Sequence, residues 1–181
     1  MLKRHVKNDV LRNILEWAIS IAIAILIFLL IDNFVFKSAR VDGASMEPTY
    51  VHHDRVIINR FIYFFTDPQL GDVVAFSVAA NPSHRYIKRI AGLPGDEMDI
   101  RDGFIYRNGE RLDDTFSHDR VFAGTVAFPL IVEDGRFFVL GDNRLVSEDS
   151  RHIEVGNVPG GDIMGRVSFR WFPFGRLGFV S

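Results

Sequence analysis

The stretch "MDIRDGFIYRNGERL", Met98–Leu112, sets two turn pairs, Asp102-Gly103 and Asn108-Gly109, between residues of alternating character. Asp-Gly and Asn-Gly supply the positive φ that two-residue type I′ turns require, and such turns match the twist of paired antiparallel strands. The stretch therefore reads as short strands folded back on one another. Around it, Arg55–Asn59 (RVIIN), Asp72–Ser77 (DVVAFS), Arg85–Ala91 (RYIKRIA) and Phe137–Leu140 (FFVL) are β-branched or aromatic runs bounded by Gly, Pro, Asn or Asp. No later segment carries an amphipathic period of three helical turns. The expectation is a mainly β, antiparallel domain. Asp113–Asp134 carries no repeat and reads as a variable insertion. The end, "SFRWFPFGRLGF", Ser168–Phe179, sets aromatics among two arginines, which suits either a last core strand or a surface lying on lipid headgroups.

Upstream, Trp17–Ile31 (WAISIAIAILIFLLI) is apolar except for Ser20. Those residues alone make about 22 Å of helix, short of a hydrocarbon layer of roughly 30 Å, whereas Ile14 to Phe36 reaches across. Lys3, Arg4, Lys7 and Arg12 precede the span and Lys37 and Arg40 follow it, so the charge bias favours a cytoplasmic N-terminus. A cleaved signal would want small residues at the last and third-last positions. After Ala39 the third-last is Lys37, and after Ser38 it is Phe36, so a retained anchor is the better reading. The layout expected is a basic tail over 1–13, an anchor over 14–36 and an extracytoplasmic β domain over 37–181.

A net charge of -2, with no basic stripe after the first dozen residues, argues against nucleic acid as a partner. Absence of cysteine excludes disulfides, thiolate metal sites and a thiol nucleophile. His52 and His53 are adjacent, and neighbours on a strand face opposite ways, so a shared metal is not expected.

Chemistry concentrates in "VDGASMEPTY" (Val41–Tyr50), "RYIKRIAGLPGDE" (Arg85–Glu97) and "VLGDNRLVSEDSR" (Val139–Arg151). Ser45 is a weak nucleophile until a base takes its proton. No histidine stands in a recognisable setting, which leaves lysine. An unperturbed lysine is neutral in only about 0.04% of molecules at neutral pH, so the base must be desolvated. On a strand, Lys88 shares its face with Tyr86 and Ile90 while Arg89 points the other way, which favours desolvation over charge repulsion.

These stretches resemble the boxes of bacterial type I signal peptidases, membrane-anchored Ser/Lys endopeptidases that remove signal peptides from exported preproteins. "GASMEPT" matches the nucleophile box, "GDVVAF" a following strand, "YIKRIAGLPGD" the lysine box and "GDNRLVSEDSR" the last box. The resemblance implies one transmembrane helix followed by a signal-peptidase-like (LexA-like) antiparallel β catalytic domain. It implies Ser45 as nucleophile, Lys88 as general base and Ser147 as the serine that orients the amine. Asp142 with Arg89, and Asp149 with Arg151, are similar to structural ion pairs. The backbone N–H of Ser45 would line the oxyanion hole, and Gly43 stands where some members carry a hydroxyl. No cofactor or metal is implied; the partners would be preprotein signal peptides with small residues at the last and third-last positions, and membrane lipid. Leu145-Val146 depart from the usual Asp-Asn, which leaves open either further apolar packing near Lys88 or a specialised processing peptidase of one secretion or conjugation system. An inactive membrane-tethered binding paralogue and a LexA-like self-cleaving repressor share parts of the same pattern; the repressor would need a DNA-binding domain in place of the apolar helix.

Overall fold

The computed structural model describes residues 2–78, 81–112 and 120–180. The chain divides into two units, Met1–Phe36 and Lys37–Ser181. The first is one helix, α1 (Leu2–Phe34), about 50 Å long at 1.5 Å per residue. Its window Val10–Leu29 has a mean hydropathy of 1.9 and buries nothing within the protein. Apolar side chains project on all sides, with Trp17 72% and Phe28 65% exposed, and by length and composition the helix is long and apolar enough to cross a membrane. The Ser20 hydroxyl donates to the Glu16 carbonyl at 2.8 Å, so the polar side chain within the apolar run from Trp17 is satisfied inside the helix. The helix stops at Phe34; Phe36, expected inside the anchor, instead opens the first strand.

The second unit is built on strands β1 (Phe36–Arg40), β2 (Arg55–Asn59), β3 (Val73–Val78), β4 (Asn81–Gly92), β5 (Glu97–Arg101), β6 (Phe104–Arg107), β7 (Glu110–Arg111), β8 (Leu130–Ile131), β9 (Arg136–Leu140), β10 (Val158–Pro159), β11 (Ile163–Phe172) and β12 (Gly178–Phe179). Among the described residues they form one sheet in the order β1-β2-β11-β3-β4-β9-β10, with β12 on β11, and a smaller one in the order β7-β6-β5-β8. Both glycine turns take the expected form, with φ of 52° and 80° at Asp102 and Gly103 and 53° and 80° at Asn108 and Gly109.

Strands β3 and β9 read as continuous apolar runs because both of their faces are covered. From β3, Val73 and Ala75 enter a core with Met46, Tyr50, Ile58 and Val167, while Val74 and Phe76 enter a second with Ile90 and Val139. From β9, Phe137 and Val139 join that second core, and Phe138 and Leu140 a third with Met98, Ile105, Val121 and Val132. The third core corrects one expectation. Residues 113–119 of the supposed insertion lie outside the described residues, but Val121 and Val132 are buried and Leu130–Ile131 pairs with β5, so the rest is structural. None of the aromatic end is fully buried: Phe169 and Trp171 of β11 are half-buried, whereas Phe174 and Phe179 stand 73% and 85% exposed.

Candidate active site

Ser45 sits in a run of turns between β1 and β2. Glu47 N–H donates to the Ala44 carbonyl at 3.1 Å and Tyr50 N–H to the Met46 carbonyl at 2.9 Å. Met46 and Tyr50 are 1% and 0% exposed, so two large side chains driven into the first core fix the turn that leaves Ser45 at the surface of a groove. Gly43, with φ of 106°, takes a backbone conformation that other residues avoid, and its N–H donates to His52 Nδ1 at 3.0 Å.

Lys88 lies on β4, opposite fully buried Val74 on β3. Its Nζ stands 2.7 Å from Ser45 Oγ, and its side chain is 3% exposed. Burial pushes the amine down to about 8, against the smaller opposing pull of Asp149 and Glu148. About a tenth of the molecules then carry a neutral amine at neutral pH, enough to face the serine proton with a lone pair. The shift has a consequence for stability. The unfolded chain keeps this proton up to about 10.5 and the folded chain releases it near 8, so across that window the unfolded state binds more protons and stability rises with pH. Denaturant titrations at pH 8 and pH 10 are expected to show wild type gaining about 2 kcal/mol more than Lys88→Met over that step.

Two buried ion pairs hold the loop after β9 against this site. Arg89 grips Asp142 through two bonds of 2.9 Å and donates to the Gly71 carbonyl at 2.7 Å, while Thr49 of the Ser45 turn donates its hydroxyl to the same carboxylate. Arg151 grips Asp149 at 2.8 and 2.9 Å. Burial alone would raise the Asp149 carboxyl, but Arg151, the Gly141 N–H and the nearby Ser147 hydroxyl outweigh it and hold it low. Asn143 N–H donates to the Ser45 carbonyl at 3.1 Å, closing the loop onto the nucleophile turn. These contacts bring Ser45, Lys88, Arg89, Asp142, Asp149 and Arg151 together. Ser147 differs from expectation. It is 4% exposed, and its hydroxyl lies against Gly141 and forms no hydrogen bond to Lys88, whose bond goes to Ser45.

The family described as signal peptidase, peptidase S26, matches residues 14–172. The chain belongs to that family. It is accordingly a peptidase, a hydrolase. Signal peptidase I P of Bacillus subtilis subsp. natto is 34% identical over 173 residues, covering 91% of this chain and 92% of that protein. Signal peptidase IB of Staphylococcus aureus (strain COL) is 34% identical over 182 residues, covering 92% and 93%. A signal peptidase I of known crystal structure from Enterococcus faecalis V583 is 32% identical, covers 56% of this chain and 97% of its own, and has a TM-score of 0.45.

In this S26 peptidase the sequence left several site residues unmarked. Thr49 binds the turn to the loop through Asp142, and Arg144 braces the loop itself, its Nε donating to the Gly141 carbonyl at 2.8 Å. The signal for Gly141 was its place between a core strand and Asp142. A Cβ there would lie 2.5 Å from the Ser45 carbonyl and 2.2 Å from Ser147 Oγ, so Gly141→Ala forces the nucleophile turn to move. The expected result is a fall of about 10²-fold in turnover with the chain still folded, read by cleavage rate beside circular dichroism. Leu145 and Val146 stand 59% and 60% exposed, so they do not pack over Lys88; Val146 lines the groove of about 800 Å³ that Ser45 and Lys88 share. His52 and His53 also correct the sequence reading. They lie in a turn, with His53 at φ 74°, and their ring centroids are 3.6 Å apart instead of on opposite faces.

Proposed function

We propose that this chain is a membrane-anchored serine endopeptidase that removes N-terminal signal peptides from exported preproteins. The observation that carries the reading is the buried lysine amine 2.7 Å from a serine hydroxyl. Neutral Lys88 takes the Ser45 proton as the hydroxyl oxygen attacks the scissile carbonyl. The oxyanion forms near the Ser45 N–H, with each such donor worth about 3 kcal/mol. Protonated Lys88 then gives its proton to the departing amine, and water activated by the same amine hydrolyses the acyl-enzyme. Asp142 with Arg89 and Asp149 with Arg151 keep the loop after β9 in register with Ser45.

The groove beside β1 and β4 suits an extended segment that adds main-chain bonds to a sheet edge and offers small side chains at the last and third-last positions. The apolar window of α1 supports an anchor within 14–36, with 1–13 cytoplasmic and 37–181 outside. Anchor and preprotein are then confined to one surface, which raises their effective concentration. Exposed Leu145 and Val146 favour a second reading, a peptidase dedicated to one secretion or conjugation system. Incubating the purified chain with a panel of generic preproteins tests both. Cleavage after small residues across the panel supports the general enzyme, cleavage of few substrates the dedicated one, and no cleavage of any preprotein contradicts the assignment.

A further inference from the structure

Three ligand-bearing side chains that the proposed peptidase chemistry does not use meet at the rim of the groove. Asp42, His52 and His53 each offer one ligand atom, all within 4.8 Å of one another, and Asp42 Oδ1 lies 3.9 Å from His52 Nδ1. The turn that carries the histidines produces the cluster. His53 takes a left-handed backbone, its N–H is held by the Val41 carbonyl at 2.9 Å, and the two imidazoles are thereby brought together, tilted at 38° to one another. Around a tetrahedral ion with bonds of about 2.0–2.1 Å, ligand atoms stand about 3.3 Å apart, so modest rotations of exposed side chains close the set.

The geometry points to a surface site for a borderline divalent ion of the Zn²⁺ or Ni²⁺ kind, held by Asp42, His52 and His53, whose occupancy slows cleavage at Ser45. Two imidazoles and one carboxylate match such ions and offer little to Mg²⁺ or Ca²⁺, which take mainly oxygen ligands. A cation already occupies the place: Arg40 lies against His53, with Nη2 3.1 Å from Nε2, and its Nε is 3.7 Å from Asp42 Oδ1. Its side chain is 53% exposed, so a metal ion displaces it into water at small cost.

The link to Ser45 runs through Gly43. Its N–H donates to His52 Nδ1, the atom that faces Asp42. An ion that takes this lone pair takes it from Gly43, two positions before the nucleophile. The left-handed Gly43 linkage then loses its brace, and the ion also narrows the rim that Asp42 forms.

Equilibrium dialysis of the full chain in detergent micelles, free of any histidine tag, against Zn²⁺ in excess Mg²⁺ tests the site. One Zn²⁺ per chain is expected. Asp42→Asn and His53→Asn should weaken binding at least tenfold, asparagine being chosen at 53 because it tolerates a left-handed backbone. Arg40→Gln should tighten binding several-fold. Equal Zn²⁺ binding by wild type, Asp42→Asn and His53→Asn overturns the site. The effect on cleavage rests on the peptidase reading, but the dialysis does not, so the two fail separately. Wild-type cleavage should fall as the site fills while His53→Asn keeps its metal-free rate; a filled site with an unchanged wild-type rate overturns the link to Ser45.

Discussion

Ser45→Ala and Lys88→Ala are each expected to lower preprotein cleavage by at least about 10⁴-fold, and the double variant to lose scarcely more than either alone. The pair acts as one device: a hydroxyl without a base is a weak nucleophile, and a base without the hydroxyl has no proton to take. Lys88→Arg should be as inactive as Lys88→Ala, since a guanidinium does not deprotonate in this range. Each variant should keep the wild-type circular dichroism spectrum, because Ser45 is a surface residue and removal of Lys88 leaves no buried charge unpaired. Cleavage by Lys88→Ala within tenfold of wild type would assign the base to another group.

The largest expected effect on stability belongs to Asp142. Its carboxylate is fully buried and accepts two bonds from Arg89 and one from Thr49, so it ties β4, the loop after β9 and the Ser45 turn into one unit. Asp142→Ala leaves a guanidinium of 5% exposure without its counter-charge, at an expected loss of about 3–5 kcal/mol in chemical denaturation. Replacing Arg89 and Asp142 together by apolar residues of similar volume should recover much of that loss, because the desolvated charges leave together. Activity should not recover, since Thr49 then loses its Asp142 acceptor and the Ser45 turn is left with the Asn143 bond as its described tie to the loop. A double variant as active as wild type would reduce the pair to a stability element.

What was legible beforehand followed from periodicity and from turn chemistry. The Asp102-Gly103 and Asn108-Gly109 turns, the strands around Val56, Val74, Lys88 and Val139, and the apolar helix are local features, and local sequence fixed them. The pairing of Ser45 with Lys88 was legible through the resemblance of the boxes; the spacing of two residues says nothing about their distance. Contacts made by backbone atoms were not legible. The bond from Asn143 N–H to the Ser45 carbonyl and the absence of room at Gly141 depend on how two loops meet, and no side-chain pattern encodes that. Val121 and Val132 were not legible for a related reason: their segment lacks strong periodicity, and their burial in the third core depends on strands distant in the chain. The close, tilted imidazoles of His52 and His53 are a further case, in which a turn redirected side chains that a strand would have placed on opposite faces.

A single amine, made easier to deprotonate by its burial, carries the account. The pH dependence of kcat/KM on a preprotein reports the ionisation of the free enzyme's base. A rising limb with an apparent pKa of about 8 that disappears in Lys88→Ala is the result expected from the burial of Lys88. A limb at the value of a solvated lysine, or one near 8 that survives in a still-active Lys88→Ala, would contradict it.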